Sequence, residues 1–355
     1  MDRSEANSGT RAVAEASRFD EAALARWMAA HVEGFAGPLA VDQFKGGQSN
    51  PTYRLRTPAA AYVLRRKPPG KLLPGAHAVD REYRVVTALA KAGYPVARTY
   101  GLCEDEAVIG TPFYVMDLVE GRIFWEAHLP QVAQEARAAH FDAMNAAMAA
   151  LHVIDPAAIG LGDYGHAGDY FARQIGRWSK QYLSDHAAGR NPAMDRLVEW
   201  LPANSPATAG ETRIIHGDYR CDNMIFHASE PGISAVLDWE LSTLGDPLAD
   251  FAYHLMMYRM PAGITAGLLG RDLGAEGIPG EDSYVASYCR RTGRAGIPNL
   301  DFLVAFNMFR LAAIVHGIKG RVARGTAASA HAAAMARHFE PLAALAWSQA
   351  ERAGA

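Results

Sequence analysis

Apolar positions recur at helical spacing in "FDEAALARWMAAHVEGF", where Leu24, Trp27, Met28 and Val32 share a face and Asp20 is placed to cap the start. After this helix the pattern shortens. "LAVDQFK", "PTYRLRT" and "AYVLRR" read as strands broken by Gly and Pro. In "AYVLRR" the alternation puts Val63 and Arg65 on one face and Tyr62 and Leu64 on the other. Helical spacing returns in "AHAVDREYRVVTALAKAGY", with Val79, Tyr83, Val86 and Leu89 in line. "TPFYVMDLVEG" then reads as a buried strand running into a glycine turn. Up to Glu120 the order is strands, one helix, strands.

Beyond Glu120 the chain is mostly helical. "QEARAAHFDAMNAAMAALHVID" is a long Ala-rich helix, and two short strands, "TRIIHG" and "ISAVLDW", lie near the middle. Helices resume with "GDPLADFAYHLMMY" and run to Ala355, with loops where Pro and Gly cluster at 261–280 and 292–298. Residues 1–18 are small and polar and are expected to be mobile. The expected division is a flexible segment at 1–18, a smaller strand-rich lobe at 19–120 and a larger, mostly helical lobe at 121–355.

The chain has 355 residues, 50% of them apolar, enough to build two lobes with sizeable cores. The formal net charge is -3 and no long run of like charge stands out, so nucleic acid is not an expected partner. Cys103, Cys221 and Cys289 are odd in number and far apart. They offer no disulfide framework and no metal-ligand spacing, and a reducing, cytoplasmic setting is expected. The polar first residues suggest no secretory signal. No apolar run of about 18 residues is evident, so no membrane span is expected.

The polar chemistry concentrates in "HGDYRCDN". Asp218 and Asn223 stand five apart, and Asp238 follows a strand in "AVLDWE". This is the set needed for phosphoryl transfer. One carboxylate orients an acceptor hydroxyl and takes its proton, while an Asn oxygen and a second carboxylate hold Mg²⁺ against nucleotide phosphates. Arg220 can reach the transferring phosphate with its planar donors. A lone Asp before a strand is ordinarily a cap or turn residue, but the order of Asp218, Asn223, Asp238 and "GDPLAD" outweighs that reading. Asp246 is expected to cap a helix, with Pro247 at its first position. Nearer the N-terminus, Gly46 and Gly47 in "FKGGQSNPTYRL" let the backbone approach phosphates, and Ser49 adds a hydroxyl. Gly-Gly between strands is, however, more often a simple hairpin.

With these motifs the sequence resembles the aminoglycoside phosphotransferase family from roughly Phe44 to Ala330, and within it the kinase domain linked to acyl-CoA dehydrogenases and its free-standing bacterial relatives. The resemblance implies an α+β, protein-kinase-like two-lobe fold. A small antiparallel-sheet lobe with one main helix would precede a larger, mostly helical lobe. It implies ATP and Mg²⁺, with Asp218 as catalytic base and Asn223 and Asp238 as metal ligands. Trp239 and Glu240 depart from the Asp-Phe-Gly of protein kinases at this point. His216 would support the backbone, and Asp250 would brace the catalytic loop. Arg65 would stand where the kinase strand Lys pairs with α- and β-phosphates, held by Glu82. The alternatives are an exposed edge Arg, followed as it is by Arg66 and Lys67, and a solvent-facing Glu. Met116 would back the adenine pocket, and backbone groups of Asp117 and Val119 would bond the adenine edge.

The acceptor is a small molecule on this reading. From Phe251 to Ala355 there are eleven Lys and Arg against seven Asp and Glu. That sign suits an anionic acceptor such as a hydroxyacyl-CoA better than a polycationic aminoglycoside. Arg310, Lys319, Arg321 and Arg324 are the candidate contacts. Arg310 sits on an apolar helix, where it is costly unless paired, so an internal salt bridge is the alternative. The rival functions are an aminoglycoside, sugar or amino-alcohol kinase, a nucleotide-binding pseudokinase, and a metal-dependent phosphohydrolase.

Overall fold

The computed structural model describes residues 8–45, 50–70, 77–165, 168–206, 211–264, 267–327 and 331–355. The chain divides into two compact units. The first comprises 1–125, 156–162 and 221–242, and the second 126–155, 163–220 and 243–355.

The first unit is built on a six-stranded antiparallel sheet in the order β1–β2–β3–β4–β6–β5. The strands are β1 (Thr10–Arg11), β2 (Ala40–Phe44), β3 (Thr52–Arg56), β4 (Ala61–Arg66), β5 (Thr99–Cys103) and β6 (Phe113–Asp117). Helix α1 (Glu21–His31) begins where expected, because the Asp20 carboxylate accepts the Ala23 N–H at 2.9 Å. Its Leu24 and Met28 share a core with Tyr62 and Leu64 of β4. Helix α2 (Val79–Lys91) buries Val79, Glu82, Val85, Val86 and Leu89. Strand β4 lies inside the sheet and is buried at every position from Tyr62 to Arg66, the pattern of a strand covered on both faces.

Two boundaries differ from expectation. Thr10 and Arg11 pair with Phe44 and Gln43, and Glu15–Ser17 forms a 3₁₀ turn whose Ser17 carbonyl accepts the Tyr53 hydroxyl at 3.1 Å. A sheet edge recruits backbone groups and asks little of side-chain polarity, so the part at 10–17 is placed rather than loose; residues 1–7 lie outside the described residues. The second difference is at 221–242, expected within the helical lobe. Its hairpin, Met224–Phe226 with Ile233–Val236, joins the first unit through backbone bonds. Arg122 and Phe226 exchange N–H···O bonds of 2.9 and 2.8 Å, and the Val236 N–H donates to Pro95 at 2.8 Å. Gly121 permits that approach: a Cβ there would lie 2.1 Å from the Phe226 carbonyl oxygen.

The second unit holds helices α3 (Gln134–Val153), α4 (Tyr170–Ser184), α5 (Pro192–Ala203), α6 (Pro247–Arg259), α7 (Glu281–Thr292), α8 (Leu300–Ala323) and α9 (Phe339–Arg352). A two-stranded antiparallel pair, Arg213–Ile215 with Thr243–Gly245, lies among them. Helix α8 is the spine of the core, with Phe302, Phe306 and Phe309 packed among residues of α4, α5 and α9. By length and composition α8 could cross a bilayer, contrary to the expectation that no such run exists. Its most apolar window is 78% buried inside the fold, so a core function explains the composition.

Candidate active site

In the second unit the loop 216–220 follows strand Arg213–Ile215 directly. Gly217 takes φ +83°, a left-handed conformation that a side chain would resist. Helix α6 determines where the loop sits. Asp246 caps it, accepting from Leu248 at 2.8 Å and Ala249 at 3.1 Å, with Pro247 in the first turn as expected. This start places Asp250 against the loop. The Asp250 carboxylate is 2% exposed and accepts the N–H groups of His216 at 2.8 Å and Gly217 at 2.9 Å. Nε2 of His152 lies 3.3 Å away. Burial pushes the Asp250 carboxyl up, but His152, His216 and the backbone donors outweigh it and hold the group below its ordinary range. His216 is fully buried, and its Nδ1 accepts the Asp218 N–H at 3.2 Å, which is a structural part.

Asp218 itself is held from two sides. The Tyr253 hydroxyl donates to its Oδ1 at 2.5 Å, and Nε of Arg220 lies 3.3 Å from the same oxygen. Burial, then the neighbouring Asp218, raises the Tyr253 hydroxyl well above its ordinary pKa, so it remains a donor. Sequence reasoning missed Tyr253. The signal was its place in "DFAY", three residues after Asp250 and hence on the same helix face.

In the first unit a second polar cluster forms around Arg65, which is 9% exposed. Its Nε lies 2.8 Å from Glu82 Oε2, and its Nη2 lies 2.6 Å from Asp238 Oδ1 and 3.8 Å from Glu240 Oε2. The exposed-Arg and solvent-Glu alternatives are thereby removed, since Glu82 is 3% exposed. Burial pushes the Glu82 carboxyl up to about 7 against the pull of Arg65, with Asp238 and Glu240 adding to the rise. Burial also works against the guanidinium charge, but the surrounding carboxylates, Glu82 foremost, keep Arg65 protonated well beyond its ordinary range.

The two expected metal ligands flank the hairpin. Met224 pairs with Val236, and the Leu237 N–H donates to the Asn223 carbonyl at 2.8 Å, so the Asn223 backbone stands against Leu237, one residue before Asp238. Asp238 adopts φ 63°, and the buried Trp239 behind it anchors the turn by donating from Nε1 to the Val236 carbonyl at 3.0 Å. Among the described residues no cluster of three His, Cys, Asp or Glu side chains is placed to hold a metal. One carboxylate beside one carboxamide fits Mg²⁺, which keeps several waters and leans on substrate phosphates.

The nucleotide-side residues fare unevenly. Gly46, Gly47 and Ser49 lie outside the described residues. Met116, Asp117 and Val119 are half-buried. The Asp117 N–H donates to the Arg98 carbonyl at 2.8 Å, and its carboxylate accepts the Tyr100 hydroxyl at 2.5 Å. The Asp117 N–H is therefore committed to the Arg98 carbonyl.

The four basic residues expected at an acceptor site do not converge. Arg310 is 7% exposed and donates from Nη2 to the Gly217 carbonyl at 2.5 Å. It thus braces the loop, and in place of the alternative, an internal salt bridge, it bonds a carbonyl. Lys319 pairs with Glu340 at 2.9 Å and Arg324 with Asp185 at 2.5 Å, while Arg321 is exposed. Along α8 these three stand roughly 14–21 Å from Arg310, at about 1.5 Å per residue.

The model of the phosphotransferase enzyme family matches residues 40–303. The chain belongs to that family. A solved structure of a provisionally named aminoglycoside phosphotransferase from Ralstonia eutropha is 50% identical to this phosphotransferase, with a TM-score of 0.87 over 94% of this chain and 99% of the other. Acyl-CoA dehydrogenase family member 10 of Mus musculus is 44% identical over 90% of the phosphotransferase, and family member 11 of Gallus gallus is 43% identical over 94%. The phosphotransferase spans only 30% and 44% of those two relatives. The aminoglycoside phosphotransferase APH(4)-Ia, solved with AMP-PNP and hygromycin B, shares the fold at 16% identity, with a TM-score of 0.59 over 94% of this chain and 99% of that one. The two-lobe α+β, kinase-like fold follows from these structural likenesses, and the family is one of phosphotransferase enzymes.

Proposed function

We propose that this phosphotransferase moves the γ-phosphoryl group of ATP to the hydroxyl of a hydroxyacyl-CoA. The observation that carries the chemistry is the Asp218 carboxylate, fixed by Tyr253 and Arg220 on a backbone braced by Asp250. Asp218 takes the acceptor's hydroxyl proton as the acceptor oxygen bonds to the γ-phosphorus and the bond to the ADP oxygen breaks. Arg220 balances charge on the transferring group. Arg65, oriented by Glu82, would neutralise the inner phosphates, and Gly46, Gly47 and Ser49, outside the described residues, are the sequence's candidates for backbone and hydroxyl donors to them. Asn223 and Asp238 would hold Mg²⁺, which neutralises charge on the phosphates. Met116, the Asp117 carbonyl and Val119 would receive the adenine. AMP-PNP in the APH(4)-Ia structure supports an adenine nucleotide as donor.

The acceptor class rests on the relatives. Two of them, named as acyl-CoA dehydrogenase family members, match nine-tenths or more of this chain while extending well beyond it. A kinase joined to an acyl-CoA enzyme is most simply one that modifies an acyl-CoA. The excess of Lys and Arg after Phe251 agrees in sign, although the pairing of Lys319 and Arg324 moves the weight from those residues to the relatives. The name given to the Ralstonia protein favours a second reading, an aminoglycoside acceptor. ADP release from ATP should be compared across hydroxyacyl-CoAs, sugars and kanamycin. A hydroxyacyl-CoA should give the highest kcat/KM, and a higher value for kanamycin would reject the acceptor class. Asp218→Asn should retain ATP affinity and lose turnover by about 10²–10⁴-fold, the usual cost of removing a general base. Near-native turnover in that variant would reject the base.

A further inference from the structure

We propose that Tyr253, backed by Arg310, is a positioning residue that fixes the Asp218 carboxylate before the acceptor arrives. This rests on reading Asp218 as the base. Three side chains from two helices grip three consecutive loop residues. From α6, Asp250 takes the N–H groups of His216 and Gly217, and Tyr253, on the same face, reaches Asp218 Oδ1. From α8, Arg310 takes the Gly217 carbonyl. The Gly217 residue is thus held at both its N–H and its C=O, and the next side chain is held at its carboxylate.

Packing alone does not call for these residue types. Tyr253 is 8% exposed and Arg310 7%, in a core rich in Phe, Met and Ala. Phe and Met would fill the same space without burying a hydroxyl and a guanidinium. Both polar groups instead end on the loop. A buried tyrosine hydroxyl needs a partner, and here the partner is a carboxylate, giving a short, charge-assisted bond. Among the described residues Arg310 forms no ion pair. Its contacts are the Gly217 carbonyl and the face of the Tyr253 ring, with the guanidinium carbon 5.2 Å from the ring centroid. A cation over the ring withdraws electron density from the phenol and strengthens its donation to Asp218. The arrangement restrains rotation of the carboxylate, so its alignment is in place in advance of the reaction.

The test uses Tyr253→Phe, which preserves the ring and its contact with Arg310. ADP release from Mg-ATP is followed with water in the acceptor's place, which requires no identified acceptor, and with 4-hydroxypentanoyl-CoA. Tyr253→Phe should lower the rate about 10- to 100-fold, the scale of a misplaced reacting group, with ATP affinity and melting temperature close to the parent's. In an Asp218→Asn background the same change should have less than about a twofold further effect, because residues acting through one another are not additive. An equal rate loss in both backgrounds would overturn the role, as would a rate loss matched by lost ATP affinity. If Asp218→Asn loses turnover while Tyr253→Phe keeps it, the positioning role alone is overturned. If Asp218→Asn keeps turnover, the base assignment fails and the positioning role fails with it.

Discussion

Replacing Asp250 by Asn should destabilise the second unit by about 2.5–6 kcal/mol, as two costs add. Oδ2 accepts from His216 N and lies near His152 Nε2, while Oδ1 accepts from Gly217 N. An amide supplies one oxygen, so either the His216 or the Gly217 N–H must face an NH₂ group. One bond to a charged acceptor is lost, worth about 1.5–3 kcal/mol, and a buried N–H is left unsatisfied at about 1–3 kcal/mol. The pH dependence should change as well. The folded carboxyl titrates below its ordinary value of 3.8, so the ionised group contributes stability above that value and loses it as pH falls through the lower folded value. The variant should lack this steep acid limb below pH 3.8. Urea unfolding followed by far-ultraviolet circular dichroism, repeated down to pH 3, reads both quantities. A loss under about 1 kcal/mol, or an acid limb like the parent's, would refute the assignment of Asp250 as the loop's brace.

His254 gives a separate window at milder pH. Burial lowers its pKa to about 4, and its ring nitrogens lie 3.2 Å from the Tyr219 carbonyl oxygen and 2.7 Å from the Tyr284 hydroxyl. The folded value lies below the ordinary 6.5, so stability is complete above 6.5 and declines as pH falls toward 4. At about 1.4 kcal/mol per unit the loss reaches roughly 3 kcal/mol, and His254→Gln should flatten the curve between pH 6.5 and 4. A variant curve parallel to the parent's there would sink the claim. In the first unit, Gly121→Ala should cost about 1–3 kcal/mol by forcing the Phe226 carbonyl away from the new Cβ, and an unchanged thermal midpoint would contradict the close approach.

Local signals were legible in the sequence because their causes are local. The Asp20 and Asp246 caps lie within a turn of the N–H groups they satisfy. The alternation in β4 correctly separated Tyr62 and Leu64 from Arg65. It could not tell that both faces are covered, because that depends on α2, and the partner Glu82 is seventeen residues away. Tyr253 reads as core filling in "FAYHLMMY", since its hydroxyl target lies thirty-five residues earlier. Arg310 was noticed as an anomaly, but its bond to the Gly217 carbonyl could not be read, because a carbonyl acceptor leaves no mark in a sequence. The return of 221–242 to the first unit was hidden for the same reason: backbone pairing to Arg122 and Pro95 changes no side-chain pattern.

The electrostatics of the Arg65 cluster connect these contacts to the proposed chemistry. One guanidinium is shared by three carboxylates, Glu82, Asp238 and Glu240. Burial foremost, and then the neighbouring Asp238 and Glu240, push the Glu82 carboxyl up, while the carboxylates, Glu82 foremost, keep Arg65 firmly charged. The division of contacts matters. Nε serves Glu82, the most buried of the three, whereas Nη2 serves Asp238, whose side chain is 34% exposed. A planar fork can orient against one carboxylate and still present charge to another; a Lys point charge would have to choose. Under the proposed function this cluster therefore has one fixed contact and one exchangeable contact. Glu82 holds the cation in place, and Asp238 is the carboxylate that can turn from Arg65 toward a divalent ion when phosphates take over the guanidinium. Under that proposal, the carboxylates beyond the one that Glu82 supplies would be the negative charge that meets Mg²⁺ carried by a nucleotide.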